Sequence, residues 1–413
     1  MNPFFSQLGQ SVYDLWKAKD FRPALFPEIA KTCLQKFAPS KRVNLDDLIS
    51  NFLLDDRQPY QTSSGFGQPE LIVYENTRFY IQILFWLDGT TDIHQHGFSG
   101  AFHVLAGSSI HSSFSFTQIT PVTSRFQLGN LILKETQLLE TGTTVMIHSG
   151  PSCIHSLFHL ETPSVTVVIR THSDPGSDPQ FTYLPPHVGL DPVNNDALTT
   201  RRKQLLDVLE VTGNGDYGQI VVKMLKELDF ERGFFILQNC VSTLRNLGCW
   251  EKAWAVFLRK HGPMALPVLP TLEEIIRRDG IAALRASVED VEHRFFLALL
   301  LNVGNREDIL KIISSRFEGS PLATISRWGE ELLRITESGT WLVDALFPSE
   351  IGNDETRHQG VFLAAMNHFI CGQKPSPELR RLSKTDLESL GLSLHDSSWR
   401  NLLPGKRSSS SKK

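Results

Sequence analysis

The chain reads as an α+β protein: helices first, then an antiparallel β-sandwich or small barrel, then a long helical region. Three observations predict this. Residues up to about 56 place apolar side chains at helical spacing. Residues from about 66 to 190 hold many short β-branched and aromatic runs closed by turn signals. From about 195 to 400 helical periodicity returns, with glycine-centred breaks between the runs and no fixed repeat period.

Each element has a local reason. Phe26 to Leu34 carries apolar residues one helical turn apart, and Asn44 followed by Leu45-Asp46-Asp47 is a cap with acids in the first turn. Phe79 to Trp86 is a strand ending at the Asp88-Gly89 turn. Ala101 to Ala106 is a second, stopped by Gly107. Ser109 to Thr117 alternates polar and apolar residues, and Thr143 to Ile147 and Ser164 to Ile169 are further strands. Pro175, Pro179, Pro185, Pro186 and Pro192 mark an extended exit segment. Helices are expected around Leu205–Leu209, Ile220–Leu225, Trp250–Leu258, Leu272–Ile276, Phe295–Leu301 and Ile309–Ile313. The expected division is therefore a helical segment 1–56, a β-domain 57–192, an α-helical domain 195–400, and a disordered Ser/Lys tail 404–413.

Composition excludes more than it selects. Of 413 residues, 41% are hydrophobic and 21% charged, and the net charge is -4, which gives no electrostatic basis for binding nucleic acid or an anionic membrane. No apolar run is long enough to span a bilayer, and the N-terminus lacks a signal-peptide pattern. The five cysteines fit no zinc ribbon or redox pair, so a reducing cytoplasm with free thiols is expected.

The chemistry concentrates in Asp92-Ile93-His94-Gln95-His96-Gly97 and in Gly150-Pro151-Ser152-Cys153-Ile154-His155. Two histidines two apart on a strand project to the same side. A third from another strand closes a facial triad. Three neutral imidazoles hold Fe(II), Zn(II), Ni(II) or Cu(II) and leave the remaining positions open. His94, His96 and His155 are thus the expected metal ligands.

Residues Leu71 to Pro175 resemble the cupin fold and, within it, the cysteine dioxygenase-like thiol dioxygenases. The likeness rests on Phe79 to Trp86, Gly89, His94-Gln95-His96-Gly97 and Val104 to Gly107. It continues in Ile154-His155-Ser156-Leu157 and Val165 to Pro175. It implies a mononuclear non-haem iron centre on His94, His96 and His155 that uses O2. The departures are informative. Gly100 stands where most cupins place a carboxylate ligand, which leaves a three-histidine site. Pro69-Glu70 stands where the family has the arginine that grips the substrate carboxylate, so free cysteine is not the expected substrate. The family's iron-side tyrosine and its neighbouring histidine fall at His172 and Arg170.

Arg170 and His172 share parity with Val168. On a pocket-facing strand Arg170 would clamp an anion bidentately, and His172 would donate a proton or support a ligand; on a frayed strand end both would be solvated. His103 should point away from the metal, His159 towards the pocket or its rim, and Cys153 should be a small packed thiol. Glu289 with His293 and Glu355 with His358 fall short of a di-iron helical pattern, and Trp250, Ala253, Trp254 and Phe257 form a core stripe.

The expected function is an Fe(II)- and O2-dependent oxygenase acting on a small metal-chelating thiol- or amine-containing acid. The alternatives are a non-catalytic ligand sensor or interaction module, and a metal-dependent hydrolase or isomerase on the same triad. The expected partners are that small molecule and O2, not nucleic acid or a membrane. The helical region is a candidate for a homodimer interface or for contact with a carrier protein.

Overall fold

The computed structural model describes residues 3–61, 67–87, 92–177, 179–192, 196–335, 355–395 and 397–404. The turn expected at Gly89 and the tail beyond 404 lie outside these residues. The chain forms two compact units, Met1–Ile276 and Arg277–Lys413.

The first unit opens with helices α1 (Pro3–Lys17), α2 (Phe26–Phe37), α3 (Pro39–Arg42) and α4 (Leu45–Leu54). Asn44 caps α4 by accepting the Asp47 amide at 3.0 Å, as its sequence context requires. Strands β1 (Glu70–Glu75), β2 (Phe79–Trp86), β3 (Ile93–His96), β4 (Gly100–Ala106), β5 (Ser108–Thr123), β6 (Phe126–Glu140), β7 (Thr144–Ile147), β8 (Gly150–His159), β9 (Ser164–Thr171), β10 (Thr182–Leu184) and β11 (Val188–Leu190) follow.

They form a five-stranded sheet, β1-β2-β9-β4-β7, and a second set, β10-β11-β6-β5-β8-β3, that closes on itself where β10 pairs with β3. Among the described residues these strand pairs are antiparallel. The expected order of helices, antiparallel barrel and helices holds. Two features differ from expectation. The proline-bearing exit segment contains β10 and β11 and turns back to complete the barrel. β6, unforeseen, pairs along almost the whole of β5.

The outer face of the five-stranded sheet is sealed by the N-terminal helices. Phe5, Leu8 and Val12 of α1 and Phe26, Ala30 and Leu34 of α2 pack with Phe79, Ile81, Ile83, Val165, Val167 and Ile169, all 0% exposed. His103, on β4, points to this side as expected: its Nδ1 meets Thr144 Oγ1 at 2.8 Å and its Nε2 meets Ser40 Oγ at 3.0 Å.

After the barrel, α5 (Ala197–Val211), α6 (Tyr217–Glu227), α7 (Phe230–Asn246) and α8 (Trp250–His261) surround a core that includes Phe126 and Leu128 of β6 and Val188 and Leu190 of β11. Trp250, Ala253 and Phe257 belong to that core, and Trp254 packs against it. The second unit contains α10 (Val291–Asn302), α11 (Arg306–Arg316) and α12 (Pro321–Ile335), after α9 (Val268–Ser287), in which the two units meet in sequence. Its core includes Phe296, Leu299, Trp328 and Trp399, all 0% exposed. No helix among the described residues is long and apolar enough to cross a membrane.

Candidate metal centre

β3 and β8 lie side by side with His94 opposite His155, and the register shifts before His96 pairs with Gly150. Gly150 starts β8 at φ +72°, a backbone angle that favours glycine. Gln95, between the two histidines, points the other way. It accepts from the Tyr183 hydroxyl at 2.7 Å and donates to the Pro179 carbonyl at 3.1 Å. These bonds fix β3 so that His94 and His96 both face inward.

The three imidazoles converge. Ring centroids stand 4.6 Å apart for His94 and His96, 5.1 Å for His94 and His155, and 4.9 Å for His96 and His155. All three are buried, and one ligand atom of each lies within 4.8 Å of the others. His96 Nε2 and His155 Nε2 are 2.8 Å apart. Two nitrogens that share an ion at bond lengths of about 2.1 Å and a right angle are about 3 Å apart, so the donor set fits a first-row divalent ion.

Burial holds the site in the form a metal needs. It lowers the pKa of His94, and it lowers those of His96 and His155 well below the usual value, with the neighbouring histidines adding to the effect. The imidazoles are neutral at physiological pH. The 2.7 Å contact from His94 Nδ1 to the Asp92 carbonyl places a proton on Nδ1 and frees Nε2. His96 Nδ1 is buried with no partner.

Behind His155 lies a group the sequence did not single out. His111 Nε2 is 2.9 Å from His155 Nδ1, and Gln137 Nε2 is 3.3 Å from His111 Nδ1. For His155 Nε2 to ligate a metal, Nδ1 must carry the proton and donate it to His111 Nε2. His111 Nδ1–H then needs an acceptor, which the Gln137 amide supplies through Oε1 once turned over. With a metal on His155 Nε2, His111 would be a positioning residue for that ligand. The only signal for it was the alternation of β5, whose polar residues Ser109 and His111 face His159 and His155 rather than solvent.

Gly100 lies on β4 opposite Arg170 on β9. A Cβ there would stand 1.9 Å from the Ile169 carbonyl oxygen. The two backbones approach too closely for any side chain, so no carboxylate can join the histidines from this position.

Beside the triad is a cavity walled by Leu84, Trp86, Phe98, Phe102, Ile147, Leu157 and Val168, with Gln82 and Thr166 as its polar members apart from the histidines. Arg170 does not line it. Its guanidinium lies 3.3 Å over the Phe98 ring, 5.1 Å from the Tyr80 ring, and makes long 3.4 Å contacts to the Thr171 and His172 carbonyls. Phe98, in turn, packs 4.5 Å from His96. Arg170 thus shares the inward parity, stands behind Phe98 of the cavity wall, and has its pKa lowered by burial. His172 is exposed, with Nε2 2.8 Å from the Asn76 carbonyl and its ring 5.2 Å from Tyr80.

The other singled-out residues have ordinary places. His159 stacks on Trp86 at 4.5 Å and shares its Nδ1 with Ser109 and Ser164. Cys153 is half-buried, and burial raises its pKa. His293 meets Glu331 at 2.9 Å, not Glu289. The side chains of Glu355 and His358 lie outside the described residues.

No protein-family model matches the chain, and no curated protein matches it. Among solved structures it is similar to a cupin-2 domain containing protein from Shewanella frigidimarina NCIMB 400, at 14% identity over 31% of this chain and 94% of that one, TM-score 0.19. It is also similar to the DMSP lyase DddQ from Ruegeria pomeroyi DSS-3, at 14% identity over 41% and 92%, TM-score 0.22. A third is the capsular polysaccharide assembling protein CapF from Staphylococcus aureus, at 20% identity over 38% and 43%, TM-score 0.17. The barrel and its histidines stand on the strand pairing and distances given above.

Proposed function

We propose that the chain is a cupin-type, mononuclear iron oxygenase that uses O2 on a small chelating substrate carrying a thiol or amine and an acid group. The observation that carries this is the buried, neutral His94–His96–His155 set beside an apolar cavity. An Fe(II) ion held there supplies open coordination positions and redox chemistry. The residues of this chain supply the rest. His94, His96 and His155 hold geometry, His111 keeps His155 in the ligating tautomer, and the apolar wall excludes water.

Arg170 is the proposed anion-attracting group. Its guanidinium lies against the rings of Tyr80 and Phe98, and Phe98 lines the cavity. His172 enters the proposal as the other neighbour of Tyr80.

The test is metal analysis of the full chain purified without added metal, then oxygen uptake with iron restored and a panel of small thiol and amine acids. One metal per chain and iron-dependent uptake are expected. A chain that takes up no metal refutes the site. Turnover of the panel with bound metal but no oxygen consumption moves the chemistry to hydrolysis or isomerisation.

A further inference from the structure

We propose that Gln82 determines substrate specificity: its amide binds a neutral hydrogen-bonding group on the part of the substrate that does not touch the metal. This rests on the reading of the cavity as a metal-dependent substrate site.

Gln82 is 2% exposed and lines the cavity. It sits on β2 in the inward row with Leu84 and Trp86, opposite Val168 of β9. The residues on either side of it, Ile81 and Ile83, face the helical layer and are 0% exposed. Among the described residues no hydrogen bond to its side-chain amide is found. An amide in the cavity wall needs a partner to offset its desolvation, and a leucine or methionine would fill the same space without that need. An amide in a wall that is apolar apart from Thr166 and the histidines is what a site built to recognise a polar group contains.

The wall also says what kind of group. Its described residues include no lysine, arginine, aspartate or glutamate. A charged substrate terminus there would be desolvated without a counter-ion, which an amide cannot offset. The group is therefore neutral: a primary amide, a hydroxyl or a carbonyl. A glutamine can meet any of these, since its side chain both donates and accepts. Negative charge on the substrate belongs at the metal or towards Arg170. The substrate class is a small molecule with a chelating anionic end, an apolar or aromatic body against Trp86, Phe98 and Phe102, and a neutral polar terminus.

The test is ligand-observed NMR titration of the full chain, as purified, with four probes of one shape: benzamide, benzoate, benzamidine and cumene. Metal content is measured on the same samples. Wild type should prefer benzamide to cumene, and Gln82→Met should reverse that order, a swing of about tenfold for one neutral hydrogen bond. The metal content of Gln82→Met should equal that of wild type, and residue 82 should leave the affinities for benzoate and benzamidine unchanged. Wild-type preference for cumene, or a benzamide-to-cumene ratio that Gln82→Met does not move, would overturn the proposal. If Gln82→Met does not fold, Gln82→Leu is read in its place, with the same reversal expected and an unmoved ratio overturning the proposal. A missing swing in metal-bearing protein removes the role of Gln82 and leaves the metal centre standing. The swing in protein that never binds metal removes the metal reading and leaves Gln82 in place.

Discussion

On β2 and β9 the odd-numbered residues Phe79, Ile81, Ile83, Val165, Val167 and Ile169 face the N-terminal helices. The even-numbered Gln82, Leu84, Trp86, Thr166 and Val168 face the cavity beside the histidines. Both faces are buried, and the same strands carry both. On the helix side these six positions are all aliphatic or aromatic and packed in one core. On the cavity side an amide, a hydroxyl and, further out, the Arg170 guanidinium interrupt the apolar row. If the cavity face recognises a ligand as proposed, damage to the two faces should separate into lost stability and lost ligand binding.

The largest expected effect is on the packing face. Phe79 is 0% exposed and contacts Trp16, Phe26 and Tyr74. Phe79→Ala should lower unfolding free energy by about 3–5 kcal/mol, measured by denaturant titration. Metal stoichiometry of the fraction still folded should not change. If metal is lost before the fold is, the two faces are not separable.

On the cavity face, His155→Ala and His94→Ala should each remove most bound metal while far-UV circular dichroism stays near wild type, because metal in an open site contributes less to folding than in a zinc finger. Full metal retention in both variants would falsify the ligand assignment. His111→Phe should weaken metal binding about tenfold to a hundredfold in a competition titration with a chelator, since it removes only the group that sets the His155 tautomer. Arg170→Met should reduce catalytic efficiency by about tenfold to a hundredfold at unchanged metal content, and Arg170→Lys should rescue it in part. Wild-type kinetics in both variants would show that Arg170 binds no substrate anion.

The smallest effect is a pH slope. Burial holds the His159 imidazole neutral down to about 3, whereas in the unfolded chain it takes a proton near 6.5. The unfolded state therefore binds more protons below that value. The stabilisation is complete above about pH 6.5 and is lost as pH falls towards 3, at up to about 1.4 kcal/mol per unit for this one group. His159→Gln should flatten the slope of melting temperature against pH between about 6.5 and 4.

The sequence makes the triad legible because two histidines on one short strand and a third behind a Gly-Pro turn form a pattern that survives without coordinates. The barrel is legible for a similar reason: Phe79 to Trp86 and Ser164 to Ile169 are too β-branched and aromatic to mistake. Gln82 is not legible, because a single polar residue inside a continuous apolar strand looks like the ordinary variation of a doubly buried sheet. His111 is hidden by the inversion of β5, where Ser109 and His111 turn inward while Ile110 packs on the other side. Polar-out alternation predicts the opposite. Gly100 reads as a missing ligand, and only the 1.9 Å approach of a built Cβ to the Ile169 oxygen shows that the backbone leaves no room for one.

The pairing that closes the barrel also sets an order of events. β3, which bears His94 and His96, is held on one edge by β8 and on the other by β10, with Thr182 opposite His94 and the Gln95 amide on the Phe181 carbonyl. The first two ligands emerge from the ribosome long before the strand that completes their surroundings. A nascent chain ending at Thr171 holds all three histidines but leaves β3 with an open edge. If the site takes up a metal, the surroundings of His94 and His96 are complete only once Phe181 to Leu184 have paired with β3, after the last strands of the barrel have left the exit tunnel.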